Sequence, residues 1–301
     1  MKKSDVAVVG GGIAGMSAAI YASRMGAGVT LLERGAVGGQ ILSAGRIENY
    51  PGCPDTDGGT LAGQLEKQVR ALRVRLVTAG VSAVRKGEDG FLLVTDDGEY
   101  SCRSLILATG AKRRRLGVPG EERLQGRGIS WCAACDGNFF RGKCVAVAGG
   151  GNTALGEARE LSRLCRTVYL LYRAAALRAD PILRERLSLC TNVIPMPHTE
   201  ILEIQGEERV TGLVLSRNGR REVLAVDGLF EAIGTVPDCA PFADLFPLSR
   251  DGGIPVDGDL RTQIPGIFAV GDCRAGAFRQ LVTAASDGAR AGTLAVSEMR
   301  K

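Results

Sequence analysis

Residues 6–15 read Val6-Ala7-Val8-Val9-Gly10-Gly11-Gly12-Ile13-Ala14-Gly15, and this stretch decides the fold class. The apolar run predicts a parallel strand buried on both faces. The glycines that follow have the spacing G-x-G-x-x-G. Gly10 permits a tight turn, Gly12 lets backbone approach a pyrophosphate, and Gly15 lets a helix lie close to the strand. Small and apolar residues from Met16 to Met25 supply that helix. The helix N-terminus offers N–H groups and the positive end of the helix dipole to phosphates, and Ile13 and Ala14 join the glycines as cofactor-binding candidates. Val29-Thr30-Leu31-Leu32 predicts a second strand, closed by Glu33, which stands 21 residues after Gly12. That is the place for a carboxylate that accepts hydrogen bonds from ribose hydroxyls.

The pattern recurs 139 residues further on. Cys144-Val145-Ala146-Val147-Ala148 is a strand, Gly149-Gly150-Gly151-Asn152-Thr153-Ala154 the turn, Leu155 to Leu164 a helix, and Thr167-Val168-Tyr169-Leu170-Leu171 the next strand. An offset that large is a domain-scale repeat, not a solenoid. The fold class expected is therefore α/β with two Rossmann-like dinucleotide-binding domains of the three-layer type. Two such folds suggest two nucleotides, commonly a flavin and a nicotinamide, with decay of one copy into a scaffold as the alternative. The second copy carries Tyr172 where the first has Glu33, followed by Arg173 and Arg178. Without the acid, and with two cations, this end of the site accepts a 2′-phosphate.

Composition agrees with a nucleotide-binding globular chain. Of 301 residues, 45% are hydrophobic and 24% charged, and 42 are glycine. Apolar runs fall well short of the ~20 residues a membrane helix needs. The Lys2-Lys3 start runs straight into a strand, without the apolar stretch of a leader peptide. The expectation is a cytoplasmic protein without membrane contact. The net charge of +5 is spread along the chain, and aromatics are only 5%, which speaks against nucleic-acid binding. The one dense basic run, Lys112-Arg113-Arg114-Arg115, reads as a solvated hinge.

Trp131-Cys132-Ala133-Ala134-Cys135-Asp136-Gly137 precedes the second nucleotide strand. Two cysteines at this spacing can close a small disulfide ring and reopen it by thiolate exchange. A structural zinc site needs two further ligands, and none is spaced to serve, so no metal is expected. Asp136 is a candidate to move protons to a departing thiolate, or simply part of an Asp-Gly turn. The other cysteines, Cys53, Cys102, Cys144, Cys165, Cys190, Cys239 and Cys273, read as buried structural thiols. The single histidine, His198, reads as a residue of a Pro195-Met196-Pro197-His198 turn.

Taken together, these motifs resemble the bacterial low-molecular-weight thioredoxin reductases over nearly the whole chain. The resemblance rests on Gly10–Gly15, Gly38-Gly39-Gln40, Glu48-Asn49-Tyr50-Pro51-Gly52, Ala108-Thr109-Gly110, Cys132–Gly137, Gly149–Ala154, Ala232-Ile233-Gly234, Gly271-Asp272 and Arg279-Gln280. It implies an FAD domain formed by residues 1–113 and 241–301, with a nicotinamide domain of residues 114–240 inserted and carrying the redox cysteines. It adds Gly39, Gln40, Asn49, Ala108, Thr109 and Gly110 to the flavin site. Gly271-Asp272 would reach the ribityl and phosphate portion, and Arg279-Gln280 the isoalloxazine. Electrons would pass from NADPH to FAD, to the Cys132–Cys135 disulfide, and on to thioredoxin or a thioredoxin-like protein. Cys135 would face the flavin, Cys132 attack the partner, and Asp136 donate the proton. A homodimer and a domain rotation about linkers near 112–117 and 234–241 are further implications. The family's His-Arg-Arg-x-x-x-Arg is here Tyr172-Arg173-Ala174-Ala175-Ala176-Leu177-Arg178. That departure predicts weaker discrimination against NADH. It leaves a ferredoxin-type donor and, as a different class, a flavin redox sensor as alternatives.

Overall fold

The computed structural model describes residues 2–44, 46–53, 55–87 and 89–300. The chain divides into two compact units, one of Met1–Lys112 and Val236–Lys301, the other of Arg113–Thr235. It crosses between them in two short strands, Ala111–Arg113 and Thr235–Pro237, which pair with each other. The return crossing comes five residues before the 240/241 boundary predicted from sequence. The reason is local: Asp238 N–H donates to Gly110 O, and Cys239 and Phe242 are buried in the core of the first unit.

In the first unit a parallel layer runs in the order Arg75–Thr78, Val29–Glu33, Lys2–Val9, Gly98–Leu107, Ile267–Ala269. The hairpin Val81–Gly87 and Gly90–Thr95 pairs antiparallel with the first half of Gly98–Leu107. The central strand is apolar without interruption because both faces are covered. Val6 and Val8 join a core with the helix Ile13–Arg24, while Ala7 and Val9 join a second core with Leu93, Leu105, Leu107 and Phe242. The C-terminal helix Leu281–Met299 lies on Ile13–Arg24. A Cβ on Gly288 would sit 2.0 Å from Ala14 O and one on Gly292 2.4 Å from Ala18 O, so the two helices meet backbone to backbone.

The second unit repeats the plan. All five strands of its sheet are parallel, ordered Val193–Met196, Thr167–Leu171, Cys144–Ala148, Gly228–Glu231, Ile129–Ser130. An antiparallel meander, Thr199–Gln205, Gly212–Arg217 and Arg220–Ala225, adds to it. The helix Asn152–Ser162 buries Ala154, Leu155, Ala158 and Leu161. In both units the glycine turn leaves the central strand where the chain goes to one side and later returns on the other. That crevice is where open α/β sheets bind ligands. Among the described residues no helix is long and apolar enough to cross a membrane.

Candidate functional site

The first glycine turn is clamped by its neighbours. Gly10 has φ 107°, and a Cβ there would lie 2.3 Å from Ala108 O; one on Gly15 would lie 1.9 Å from Gly10 O. Gly12, in contrast, meets nothing closer than 4.0 Å, which leaves its face open to a phosphate. No side chain caps the helix that starts at Ile13, so its N-terminal amides are left for a ligand. The Glu33 carboxylate accepts N–H bonds from Gly11 at 2.6 Å and Gly35 at 2.9 Å, fixing it beside the turn. Gly39 packs on Gly12, and Gln40 Nε2 reaches the neighbourhood of Gly110.

The remaining sequence-predicted residues of this site come from far apart in the chain. Asn49 Nδ2 donates to Gln280 Oε1 at 3.0 Å. Gly271 N–H donates to Asp287, which also binds Arg274 at 2.6 Å, so Gly271 is fixed against Ala14 at the start of the first helix. Burial raises the Asp272 carboxyl, with Arg279 opposing. The Thr109 hydroxyl is buried beside the Cys273 thiol, where its hydrogen bond opposes the rise that burial gives the thiol. An open glycine face, an uncapped helix and a ribose-height carboxylate fit a dinucleotide.

The second turn opens on a cavity of about 490 Å³. It is lined by Gly149, Gly151, Asn152, Thr153, Arg173 and Arg178, all predicted, and by Arg114 and Arg115, which were not. The basic run is therefore more than the solvated hinge expected of it. Arg114 N–H donates to Gly234 O, while the Arg113 guanidinium lies 5.8 Å from the Trp131 ring centre. Gly151 has open space around it, and Arg178 N–H donates to Gly150 O at 2.7 Å, folding the 172–178 segment onto the turn.

The edge strand Ile129–Ser130 delivers the cysteines. Cys132 N-caps a four-residue helix, Ala133–Asp136, and forms a disulfide with Cys135. Cys135 N–H points at Cys132 Sγ at 3.2 Å; Cys132 is buried and Cys135 exposed. The Asp136 carboxylate accepts from Ser130 Oγ at 2.6 Å. Two further carboxylates border the turn. Glu157, on the helix Asn152–Ser162, accepts the Ala133 N–H, and burial pushes it up to about 7. Glu231 accepts from Trp131 Nε1 at 2.9 Å; burial first, and then the Glu121 carboxylate, push it up to about 7. Glu121 in turn accepts from Gly117 N–H at 2.6 Å.

Sequence reasoning missed Ser130, Glu157 and Glu231. Glu157 had a signal: it falls on the stripe of Ala154, Ala158 and Leu161, where a charge is out of place. Of the cysteines expected to be buried, Cys53, Cys144 and Cys190 are only half-buried, while Cys102, Cys165, Cys239 and Cys273 are buried. His198 sits on an exposed turn with φ 54°. Among the described residues no three potential ligands cluster as a metal site.

The family profile described as Pyridine nucleotide-disulphide oxidoreductase matches residues 4–288. A protein of Treponema pallidum named thioredoxin reductase is 40% identical over 296 residues, covering 97% of this chain and 96% of that one. The crystal structure of Lactococcus lactis thioredoxin reductase superposes with a TM-score of 0.95 at 37% identity, covering 98% of each chain. That of T. acidophilum thioredoxin reductase gives 0.95 at 31% identity over the whole of both chains.

Proposed function

Because the chain belongs to the pyridine nucleotide-disulphide oxidoreductase family, we propose that it is a thioredoxin-disulfide reductase, taking electrons from NADPH and delivering them through Cys132 and Cys135 to thioredoxin. The observation that carries the reading is the placement of the disulfide. It sits on a turn packed against the helix that opens at the second glycine motif, so one rigid element serves nucleotide and dithiol together.

FAD, when bound, would carry the electron pair between a nicotinamide and the disulfide. Gly10, Gly12, Ile13, Ala14, Gly15 and Glu33 would hold its adenosine and pyrophosphate. Gly39, Gln40, Asn49, Ala108, Thr109, Gly110, Gly271, Asp272, Arg279 and Gln280 would line its remaining length. Gly149, Gly151, Asn152, Thr153 and Ala154 would cradle the nicotinamide dinucleotide, with Arg173 and Arg178 on the 2′-phosphate. Two arginines at that end support NADPH, and the lack of a third supports measurable use of NADH.

Once the disulfide is reduced, Cys132 is the nucleophile, because the Cys135 N–H aimed at its sulfur stabilises a thiolate. The Cys132 thiolate attacks a sulfur of the partner's disulfide, and the partner's second sulfur leaves and takes a proton. Cys135 then attacks Cys132 Sγ, which reforms the ring and frees the partner as a dithiol. Asp136, held by Ser130, is the group placed to give or take the proton at Cys135. Burial of Cys132 in the disulfide form means that attack follows exposure of the turn. A dithiol kept reduced between turnovers suits a reducing compartment. The reading accordingly includes the cytoplasm as location and a homodimer as working form, the latter checked by light scattering.

The test is anaerobic stopped-flow reduction of the flavin by NADPH and by NADH, followed by addition of oxidised thioredoxin. Rapid bleaching by NADPH and rapid recovery with thioredoxin are expected. No bleaching by either nucleotide would overturn the donor and point to a ferredoxin-type carrier. Bleaching without recovery would overturn the partner and favour a redox sensor.

A further inference from the structure

The two dinucleotide folds differ at the end of the second strand, where Tyr172 stands in place of Glu33. The fold returns an acid to that corner by another route. In the first unit Leu32 pairs with Val77, and the N–H of Ala79 donates to Glu33 O at 2.9 Å, with Gly80 following. In the second unit Leu171 pairs with Met196, but the bond to Tyr172 O comes from Thr199, at 3.1 Å, and not from His198. One residue more therefore lies between Met196 and Thr199 than between Val77 and Ala79. The extra residue is accommodated at Pro197 and His198. Pro197 has no N–H to give, and His198 takes φ 54° with its N–H turned to Ala174 O in the 172–178 segment. Thr199 thus occupies the slot of Ala79, and Glu200 that of Gly80.

That slot borders the residue after the second strand. A Cβ built on Gly80 would lie 3.7 Å from the Arg34 Cβ, and Arg34 is the counterpart of Arg173, 139 residues further on. In keeping with this, Glu200 lines the same cavity as Tyr172, Arg173 and Arg178. Its side chain is exposed there, not packed into the core.

A carboxylate at this corner of a dinucleotide fold accepts hydrogen bonds from the adenosine ribose hydroxyls and repels a phosphate in the 2′ position. We propose that Glu200 is a specificity-determining residue of the second nucleotide site, favouring the 2′-hydroxyl of NADH against the 2′-phosphate that Arg173 and Arg178 attract. The proposal rests on the reading of this cavity as the nicotinamide nucleotide site. It makes the site one of divided preference, with cations from the 172–178 segment set against an acid from the strand Thr199–Gln205.

The experiment measures binding without turnover. NADP+ and NAD+, which cannot reduce the flavin, are titrated into the full-length flavoprotein by isothermal calorimetry at low salt. Glu200→Gln removes the charge and keeps the shape. It is expected to bind NADP+ about three- to tenfold more tightly than wild type. NAD+ is expected to bind about two- to fivefold more weakly, a neutral acceptor having replaced a charged one. Glu200→Asp, which keeps the charge, is expected to hold NADP+ within about twofold of the wild-type affinity. The gain for NADP+ should shrink in about 0.5 M salt, as a repulsion between solvated charges does. Glu200→Ser, made alongside, is expected to show the same gain and serves if the glutamine variant fails to fold.

An unchanged ratio of NADP+ to NAD+ affinity on removal of the charge would overturn the proposal, as would an equal weakening of both nucleotides. A gain for NADP+ that persists undiminished at high salt would overturn it too, since a change of shape and not of charge would then be at work. Failure of the wild type to bind either nucleotide would instead overturn the reading of the cavity, and the proposal with it.

Discussion

The two glycine turns are the same motif built to different tolerances. Both first glycines are pinned by a carbonyl: a Cβ on Gly10 would lie 2.3 Å from Ala108 O and one on Gly149 2.2 Å from Ala232 O. In both, the middle glycine touches the end of the second strand, Gly11 against Glu33 and Gly150 against Tyr172. They part at the third position. Gly15 has no room for a methyl, its helix being pressed between strand and C-terminal helix, whereas Ala154 carries one and is fully buried. They also part at the acid: a carboxylate holds Gly11 N–H in the first turn, a backbone bond from Arg178 holds Gly150 O in the second. The first turn is walled by backbone on both sides of its helix. The second keeps a side chain's width and an open, basic rim, as suits a ligand that must come and go.

The comparison can be broken most severely at Gly15. Gly15→Ala is expected to cost more than about 3 kcal/mol and to empty the flavin site, because overpacking against backbone cannot relax. The matching change Ala154→Gly is expected to cost only about 1–2 kcal/mol. Thermal midpoints and flavin absorbance per chain check both, and equal losses would refute the difference in tolerance.

The basic rim is sharpened by Arg178→Gln. A charged hydrogen bond contributes about 1.5–3 kcal/mol, so affinity for NADPH is expected to fall by about 10- to 150-fold. NADH should be unaffected in the same stopped-flow titration.

The second unit also carries a titration. An acid whose folded pKa lies above its unfolded one binds protons more tightly when folded, so stability falls as pH rises through that window. For Glu231 the window runs from about 4.5 up to about 7. Glu231→Gln keeps an acceptor for Trp131. It is expected to remove the share of this decline that Glu231 contributes, leaving that of Glu157, and to make the variant about 1–3 kcal/mol more stable at pH 8, read from urea midpoints at pH 5 and pH 8.

The smallest effect has the opposite sign to the first. Gly156 lies in the helix Asn152–Ser162 with nothing within 4 Å of where a Cβ would be. Gly156→Ala is expected to stabilise by about 0.5–1 kcal/mol, measurable in the same melts.

Strands and turns were legible because they are local. Val6–Val9 and Cys144–Ala148 are apolar on both faces, and Gly10, Gly12 and Gly15 are spaced as a phosphate turn requires. The helices start earlier than the apolar residues suggested, at Ile13 and Asn152, since a phosphate-binding turn uses its own last residues as the first helical turn. What was not legible are the partners. Nothing local to Asn49 points to Gln280, 231 residues away, and nothing local to Trp131 points to Glu231, which the parallel pairing Phe230↔Ser130 brings opposite it.

The sequence by itself determined two dinucleotide folds and a cysteine pair between them, because backbone conformation and periodic burial are written in neighbouring residues. Only the tertiary structure decided which acids surround those cysteines and which arginines reach the second cavity. Ser130, Glu157, Glu231, Arg114 and Arg115 matter through where strands pair and helices pack. Their desolvation and charge environment are set by chain segments tens to hundreds of residues distant.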